Sequence, residues 1–330
     1  MSDSVWITWE NHRRSKELAA ALGADYYALT MDKSRWVRYP ALTAKTVSLL
    51  IRLRPRVVFS QNPSMILATL LCLLAPIMRF RLIIDRHSNF KFETLDLPHI
   101  KWKIFHMLSR WTAKKADLTI VTNEYLAELI SELGGKPFVL QDKLPDMDAE
   151  YARREPDFIL QSDKPKVMFV TTFSDDEPID EILRSKEFAP DTIYYITGKY
   201  SKSIDEVERE KLFEENIVLT GFISDEDYFN LMRIVDLVVV LTVKDNLLTC
   251  GAYEAISMEK PLVLSDTEAL KNYFSQGAVY VAPNGKSIAT GVEDALTKLQ
   301  ALEADIQRFV PLMMENWNAQ FLELEKRVNV

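Results

Sequence analysis

Short runs of Val, Ile, Leu and aromatic residues alternate along the chain with longer segments whose apolar residues recur at helical spacing. In the first half the runs are 5–9, 25–29, 57–60, 82–85, 118–121 and 137–140. In the second half they are 166–171, 192–198, 216–221, 236–241, 261–264 and 278–281. Runs this short and this continuously apolar predict strands buried on both faces, and helical segments between them predict crossover connections in parallel sheets. Residues 15–22 are such a helix, closed by Gly23, and residues 225–233 another. The tail from 303 to 330 predicts one long helix with Phe309, Leu312, Met313, Trp317, Phe321 and Leu324 as its apolar stripe. Residues 57–78 carry no charge but contain Ser60-Gln-Asn-Pro-Ser64 and Pro76. Their apolar core, 65–78, is shorter than the ~20 residues a membrane span needs. It reads as strand, loop, and a buried or membrane-facing helix, with no transmembrane helix expected.

The pattern restarts after 141–164, a charged stretch with Pro145, Pro156 and no clear period, which is the expected linker. The expected domains are therefore 1–150 and 151–302, each a Rossmann-like α/β unit, followed by the helix 303–330. A length of 330 residues suits two domains, and 48% hydrophobic with 27% charged residues is a globular composition. The two cysteines, Cys72 and Cys250, exclude a disulfide framework and lack zinc spacing. No basic region with an apolar core opens the chain, so a cytoplasmic protein is expected.

The most informative segment runs from Thr242 to Asp266, between the strands 236–241 and 261–264. Its loop leads to Gly251, which opens a helix carrying Glu254 about one turn inside. A helix N-terminus offers unpaired N–H groups and partial positive charge to an anion such as a diphosphate, and Glu254 is within reach of a ribose hydroxyl. The segment resembles the donor-site signature of family 4 glycosyltransferases of the GT-B fold: Glu, seven residues, Glu, then Ala and a Lys/Arg/Gly-Pro-Val-Val strand. Here Glu254 matches the second glutamate, and Asn246, after Asp245, stands where the first is expected. The resemblance extends over about 166–285, through Gly221-Phe-Ile-Ser-Asp-Glu-Asp-Tyr228 and Leu231-Met-Arg-Ile-Val-Asp236. It implies a nucleotide-sugar-binding second domain, an acceptor-binding first domain, a ligand cleft between them and a terminal helix crossing back to the first domain.

Residue by residue, the resemblance implies that Thr249, Cys250, Gly251 and Ala252 hold the diphosphate and that Glu254 holds the ribose. Asp245 and Asn246 orient the sugar, with Gly198, Lys199, Gly221 and Phe222 lining the donor site. A Gly-Arg…Lys phosphate clamp usually follows the first strand of that domain. This chain has Thr171-Thr-Phe-Ser-Asp-Asp-Glu-Pro178 instead. Thr172, Ser174, backbone amides, Lys199 or Lys244 are the replacements on offer. Asp175-Asp176-Glu177 reads as the acidic cap of a helix in preference to a metal set, and metal-independent chemistry without a cofactor is expected.

In the first half, Glu10, His12, Arg13 and Arg14 follow the first strand and are candidates for binding acceptor or phosphate. His87, after the strand 82–85, is the candidate polar group beside the reacting centre, with no general-base role assigned. Gln61, Asn62, Asn123 and Glu124 are candidate acceptor contacts. The net charge of -8 hides a polarity, because residues 1–116 hold 19 Lys and Arg against 8 Asp and Glu. A basic half on an acidic protein suits an anionic membrane surface or a phosphate-bearing lipid, and no nucleic-acid motif is present. Residues 99–115, with Trp102, Phe105 and Trp111 among Lys101, Lys103, Arg110, Lys114 and Lys115, fit a membrane-surface helix or an amphipathic helix packed on the sheet. The function implied is transfer of a sugar from a nucleotide donor to an acceptor hydroxyl, on a lipid-linked glycan for envelope or exopolysaccharide assembly. The alternatives are a catalytically silent nucleotide-sugar-binding partner and a GT-B sugar epimerase.

Overall fold

Every one of the apolar runs forms a strand, and all the pairings are parallel. The computed structural model describes residues 3–61, 64–87, 91–145 and 152–328, without the side chains of Arg13, Glu93 and Lys202. The chain divides into two compact units, Met1–Asp142 with Trp317–Val330, and Lys143–Asn316.

The first unit contains β1 (Ser4–Thr8), α1 (Arg13–Ala21), β2 (Asp25–Ala28), α2 (Arg35–Leu53), β3 (Val57–Gln61) and α3 (Met65–Met78). It continues with β4 (Arg81–Asp85), α4 (Ile100–Lys115), β5 (Leu118–Val121), α5 (Glu124–Glu132) and β6 (Pro137–Val139). The sheet order is β2-β1-β3-β4-β5-β6, with Ile7 paired to Ser60 and Ser60 to Ile84. Period-two alternation sends Val5, Ile7, Val58, Leu82 and Ile84 to the face covered by α2 and α3. Trp6, Phe59, Ile83 and Ile120 go to the other face, where Trp317, Leu324 and Val328 join them. These last residues end α12 (Leu299–Val328), whose Phe309 and Met313 belong to the core of the second unit. Leu312, expected in the same apolar stripe, is half exposed because helix geometry turns it off the buried line.

The second unit contains β7 (Lys166–Phe169), α6 (Ile179–Ser185), β8 (Ile193–Thr197), α7 (Glu206–Glu214), β9 (Ile217–Gly221) and α8 (Asp225–Ile234). Then follow β10 (Leu237–Val240), α9 (Cys250–Ser257), β11 (Leu262–Ser265), α10 (Glu268–Tyr273), β12 (Ala278–Val281), α11 (Gly285–Thr297) and the start of α12. Its order, β12-β11-β10-β7-β8-β9, puts β7 at the centre with β8 on one side and β10 on the other. Such a sheet has its topological switch point between β7 and β10, where the loops leaving both strands diverge and ligands of α/β sheets bind. In the first unit the corresponding point lies between β1 and β3.

The expected linker is only partly one. Residues 146–151 lie outside the described residues, but from Ala152 onward the segment packs on the second unit. Asn230 Nδ2 donates to the Ala152 carbonyl at 3.0 Å, Ile159 is buried, and Leu160 N donates to the Tyr195 hydroxyl at 3.0 Å. Prolines and charges mask a short apolar anchor here, and the unit boundary falls earlier, after Asp142.

Candidate functional site

At the switch point of the second unit, α9 starts against the strand ends. A Cβ placed on Gly251 would lie 2.7 Å from Cγ1 of Val170 and 3.4 Å from Cγ1 of Val240. Only glycine lets the first turn of the helix come this close to the ends of β7 and β10. Thr249 stands at the N-cap with extended backbone, yet its side chain does not cap the helix. By contrast Asp205, Ser224, Thr267 and Asn284 accept side-chain caps from the first turns of α7, α8, α10 and α11. The Thr249 hydroxyl is buried and makes no hydrogen bond among the described residues. Cys250 is exposed, while Gly251 and Ala252 are buried in the first turn.

Glu254 lies further along the same helix, half-buried, and its Oε2 accepts a 2.7 Å hydrogen bond from the hydroxyl of Tyr228 on α8. Burial first, and the Glu254 carboxylate next, push the Tyr228 phenol well above its ordinary value, so it stays a donor. Tyr228 was quoted in the family pattern without a role; its position in the first turns of an acid-capped helix is what brings it to Glu254.

The loop after β7 holds an acidic clamp that sequence reasoning did not find. Glu177 accepts from the backbone N–H of Thr172 at 2.9 Å, from that of Ser174 at 3.1 Å and from the Thr172 hydroxyl at 3.1 Å. Phe173 between them adopts φ +60°, a left-handed conformation that turns both amides to one point. Thr172 and Ser174, the expected replacements for the phosphate clamp, are thus engaged by a carboxylate of their own loop. Asp176 accepts from Ser174 Oγ at 2.9 Å and lies 3.8 Å from Lys244 Nζ, while its carbonyl accepts from Val243 N at 2.8 Å. The loops after β7 and β10 are thereby tied together. Asp175-Asp176-Glu177 does not cap a helix: α6 begins after Pro178, and the acids of its first turn are Asp180 and Glu181.

The other donor-side candidates surround this edge. Gly198, at φ +99°, would bring a Cβ within 2.4 Å of the Thr171 carbonyl, so the turn after β8 lies directly on the end of β7. Gly221 has φ +70° and ends β9 beside Tyr200. Phe222 is 91% exposed, Lys199, Lys244 and Asp245 are exposed, and Asn246 is half-buried in the loop before α9.

The first unit carries a second polar cluster at its own strand ends. Asp85, the last residue of β4, is fully buried and shared between Arg14 and His87: Arg14 Nε lies 3.2 Å from both carboxylate oxygens, and His87 Nδ1 lies 3.1 Å from Oδ2. Arg14 donates further to Asp142 Oδ1 at 2.5 Å and to the carbonyls of Leu140 and Gln141. Burial alone would raise the Asp85 carboxyl, but Arg14 and then His87 outweigh it and hold the group down at about 2. The His12 and His87 rings lie 4.7 Å apart, and burial followed by His87 lowers the His12 pKa. Arg14, expected as a phosphate ligand, is an internal strut, because its guanidinium is committed inside the fold. Glu10 is exposed at this edge. Gln61 is buried with Oε1 3.0 Å from Thr8 Oγ1, and Asn123 caps α5 through Leu126 N. The side chain of Arg13, and Asn62 as a whole, lie outside the described residues. Among those residues no three His, Cys, Asp or Glu side chains gather as a metal set.

Comparison with known proteins agrees with this architecture. The model of Glycosyltransferase Family 4 matches residues 8–140, and that of Glycosyl transferases group 1 matches residues 153–307. A search of curated proteins finds no match. Sucrose-phosphate synthase from Thermosynechococcus elongatus superposes with a TM-score of 0.69 at 15% identity, over 96% of this chain and 84% of that one. HepE of Anabaena, solved in complex with UDP, gives a TM-score of 0.70 at 11% identity over 100% of both chains. The N-terminal domain of Candida albicans trehalose-6-phosphate phosphatase gives 0.71 at 11% identity, over 100% of this chain and 98% of that one. At these identities the superpositions establish the fold, and it is the two family models, one on each half, that establish the kinship. The chain belongs to the family 4 type of GT-B glycosyltransferases, enzymes that move a hexose from a nucleotide-sugar donor to an acceptor.

Proposed function

We propose that the second unit binds the nucleotide-sugar at the start of α9, with the diphosphate against the amides of Cys250 and Gly251, next to Ala252, whose own amide donates to the Thr249 carbonyl at 3.1 Å, and the ribose on Glu254. The observation that carries this reading is the Tyr228–Glu254 hydrogen bond beneath an N-terminus whose own Thr249 leaves it uncapped. A carboxylate fixed by a phenol is a rigid acceptor for ribose hydroxyls, and the helix N-terminus offsets the charge that develops on the leaving diphosphate. Asp245, Asn246 and the backbone to Thr249 orient the sugar, with Gly198, Lys199, Gly221 and Phe222 around the nucleotide. Positioning and leaving-group stabilisation supply the rate without a metal ion.

In the first unit, His87 is the polar group offered to a reacting hydroxyl. Asp85 only accepts, so His87 Nδ1 is the donor between them and Nε2 is the ring nitrogen left for the hydroxyl. Glu10, His12 and, by its place in sequence, Arg13 are the acceptor-side residues. The acceptor we propose is a glycan carried on a phosphate-bearing lipid, which places the enzyme at the inner face of a membrane during envelope or exopolysaccharide assembly. The basic excess of residues 1–116 supports that placement.

The test is a thermal-shift screen of UDP-, GDP-, ADP- and TDP-sugars, beginning with UDP because HepE holds it. One sugar class stabilises the wild type, and Glu254→Ala weakens its binding by about 10- to 100-fold, the worth of one or two hydrogen bonds to a charged group. Unchanged affinity in the variant would remove the donor-site assignment. Binding without donor hydrolysis or transfer to any acceptor would favour the silent-partner reading.

A further inference from the structure

One face of the first unit is built from helices that carry no carboxylate. Neither α2, α3 nor α4 contains an Asp or Glu. They adjoin one another in the order α2-α3-α4, and α3 packs on α4 through Met65 and Cys72 against Thr112. Their inner residues, among them Leu42, Leu50, Leu67 and Leu71, fill the core beneath the sheet. Their outer sides are apolar as well. On α3, which has no charged residue at all, Ile66, Leu73 and Ile77 recur at helical spacing and are exposed, Ile77 by 74%. On α4 the exposed line is Ile100, Ile104 and Met107, with Ile100 at 74%. On α2 Trp36 is 82% exposed under the Arg35 guanidinium, 5.9 Å from its ring.

A helix apolar on both sides favours burying its outer side as well, and exposed apolar lines on adjoining helices point to an interaction site. The charges say what it meets. Lys101, Lys103, Arg110 and Lys114 flank the α4 line, and Arg79 caps the end of α3. A groove of about 440 Å³ is lined by Leu95, Met107 and Trp111 together with Lys103, Arg110 and Lys114. Cations interleaved with apolar side chains suit a phosphate headgroup above its acyl chain. A nucleic acid would use the cations and leave Ile77 and Ile100 in water. A second copy meeting face to face would bring like charges together. No helix among the described residues is long and apolar enough to cross a membrane, and α3, with 14 residues, has only the length to lie in the plane.

We infer that the α2–α3–α4 face docks flat on an anionic phospholipid bilayer. Leu73, Ile77, Ile100 and Ile104 enter the acyl boundary, and the lysines and arginine of α4 pair with headgroup phosphates. This deepens the membrane placement proposed above and rests on it, naming the surface that makes the contact.

The experiment is co-sedimentation of the full chain with phosphatidylcholine vesicles and with vesicles of phosphatidylcholine mixed with phosphatidylglycerol. The wild type, an Ile77→Glu/Ile104→Glu variant and a Lys101→Glu/Lys103→Glu variant are compared, each checked by its melting curve and by its nucleotide-sugar thermal shift. Binding is expected only with phosphatidylglycerol, falling with salt. Either variant reduces it by at least about tenfold while keeping the donor-induced shift. Should the apolar variant melt early, Trp36→Ser, at a site that supports no core, takes its place. Vesicle binding that the folded variants do not alter would overturn this face and leave the membrane placement standing. Binding to no vesicle would overturn both. A wild-type dimer in light scattering that the variants dissociate, or retention by duplex nucleic acid in place of vesicles, would give the face to another partner and overturn the inference. Loss of the donor shift alone would count against the transferase site and not against the face.

Discussion

Oδ2 of Asp85 and Nδ1 of His87 lie 3.1 Å apart, and the same carboxylate is held from its other side by the buried Arg14. One group at the end of β4 therefore performs two tasks: it anchors the start of α1 and the chain after β6, and it holds Nδ1 of the histidine proposed to meet substrate.

Replacing Asp85 by Asn separates these tasks. Arg14 would keep Asp142 and two carbonyls but lose its buried counter-charge, and breaking a buried pair from one side costs about 3 kcal/mol. Urea unfolding of Asp85→Asn is expected to show a loss of that order, and Arg14→Met a comparable one. The wild type carries a matching acid dependence. The Asp85 pKa is depressed, from 3.8 in its ordinary state to about 2 when folded. The unfolded chain therefore binds the proton first as pH falls, and stability is present above pH ~4 and lost between ~4 and ~2, by about 2 kcal/mol. An unfolding free energy flat across that window would contradict the pairing.

His87→Ala, by contrast, leaves Arg14 to satisfy Asp85 and should leave the melting temperature nearly unchanged. The expected result is a fall in kcat of about 10²-fold with donor KM little altered, since a group positioned on the reacting hydroxyl acts in the transition state. Equal turnover in the variant would remove His87 from the chemistry.

How much of this was legible in the sequence follows from the range of the interactions. The strands were legible because runs such as Leu237-Val-Val-Val240 are buried on both faces and announce themselves locally. The helix α9 that carries the proposed site was legible for a similar reason: Gly251 and Glu254 lie about one turn apart on it, a spacing read directly from the sequence. The Arg14–Asp85 pair was not, because its members stand 71 residues apart and meet only through strand order. Arg14 consequently read as a candidate phosphate ligand after the first strand. Glu177 was misread for the opposite reason. Acids before a helix usually serve its N-terminus, and here a left-handed Phe173 diverts the nearest one to the preceding loop. Ile159 disappeared among prolines and charges, although it anchors the start of the second unit.

Tyr228→Phe tests the ribose acceptor without touching its charge. Losing the 2.7 Å hydrogen bond removes one restraint on the Glu254 carboxylate, and a single such bond is worth about 1–2 kcal/mol. Isothermal titration with the nucleotide of the preferred donor should show affinity lower by about 5- to 30-fold in Tyr228→Phe, and a double variant no weaker than Glu254→Ala alone. Additive losses would mean that Tyr228 and Glu254 act on the ligand separately.

Gly251→Ala probes the approach of α9 to the strands. The new methyl would meet Val170 at 2.7 Å, closer than carbon atoms pack, so the first turn has to move outward. Overpacking of this kind costs about 1–3 kcal/mol of stability, and the displaced amides should weaken donor binding beyond what the melting change alone implies.

The acidic loop after β7 makes the sharpest prediction about the donor itself. Glu177 saturates the amides of Thr172 and Ser174, on a loop joined through Val170 to the close packing of Gly251. A diphosphate at the start of α9 would therefore approach a fixed carboxylate where relatives of this chain are expected to carry basic residues. Glu177→Gln keeps an acceptor oxygen for one amide and removes the charge. The variant should lose about 1 kcal/mol of stability and yet bind nucleotide-sugar more tightly, by about 3- to 10-fold at low salt, with the advantage shrinking as salt screens the repulsion. Titrations of wild type and variant at two ionic strengths decide it. Weaker binding by the variant would mean that Glu177 supports the donor site by ordering its loop, and that its negative charge is not felt by the phosphates.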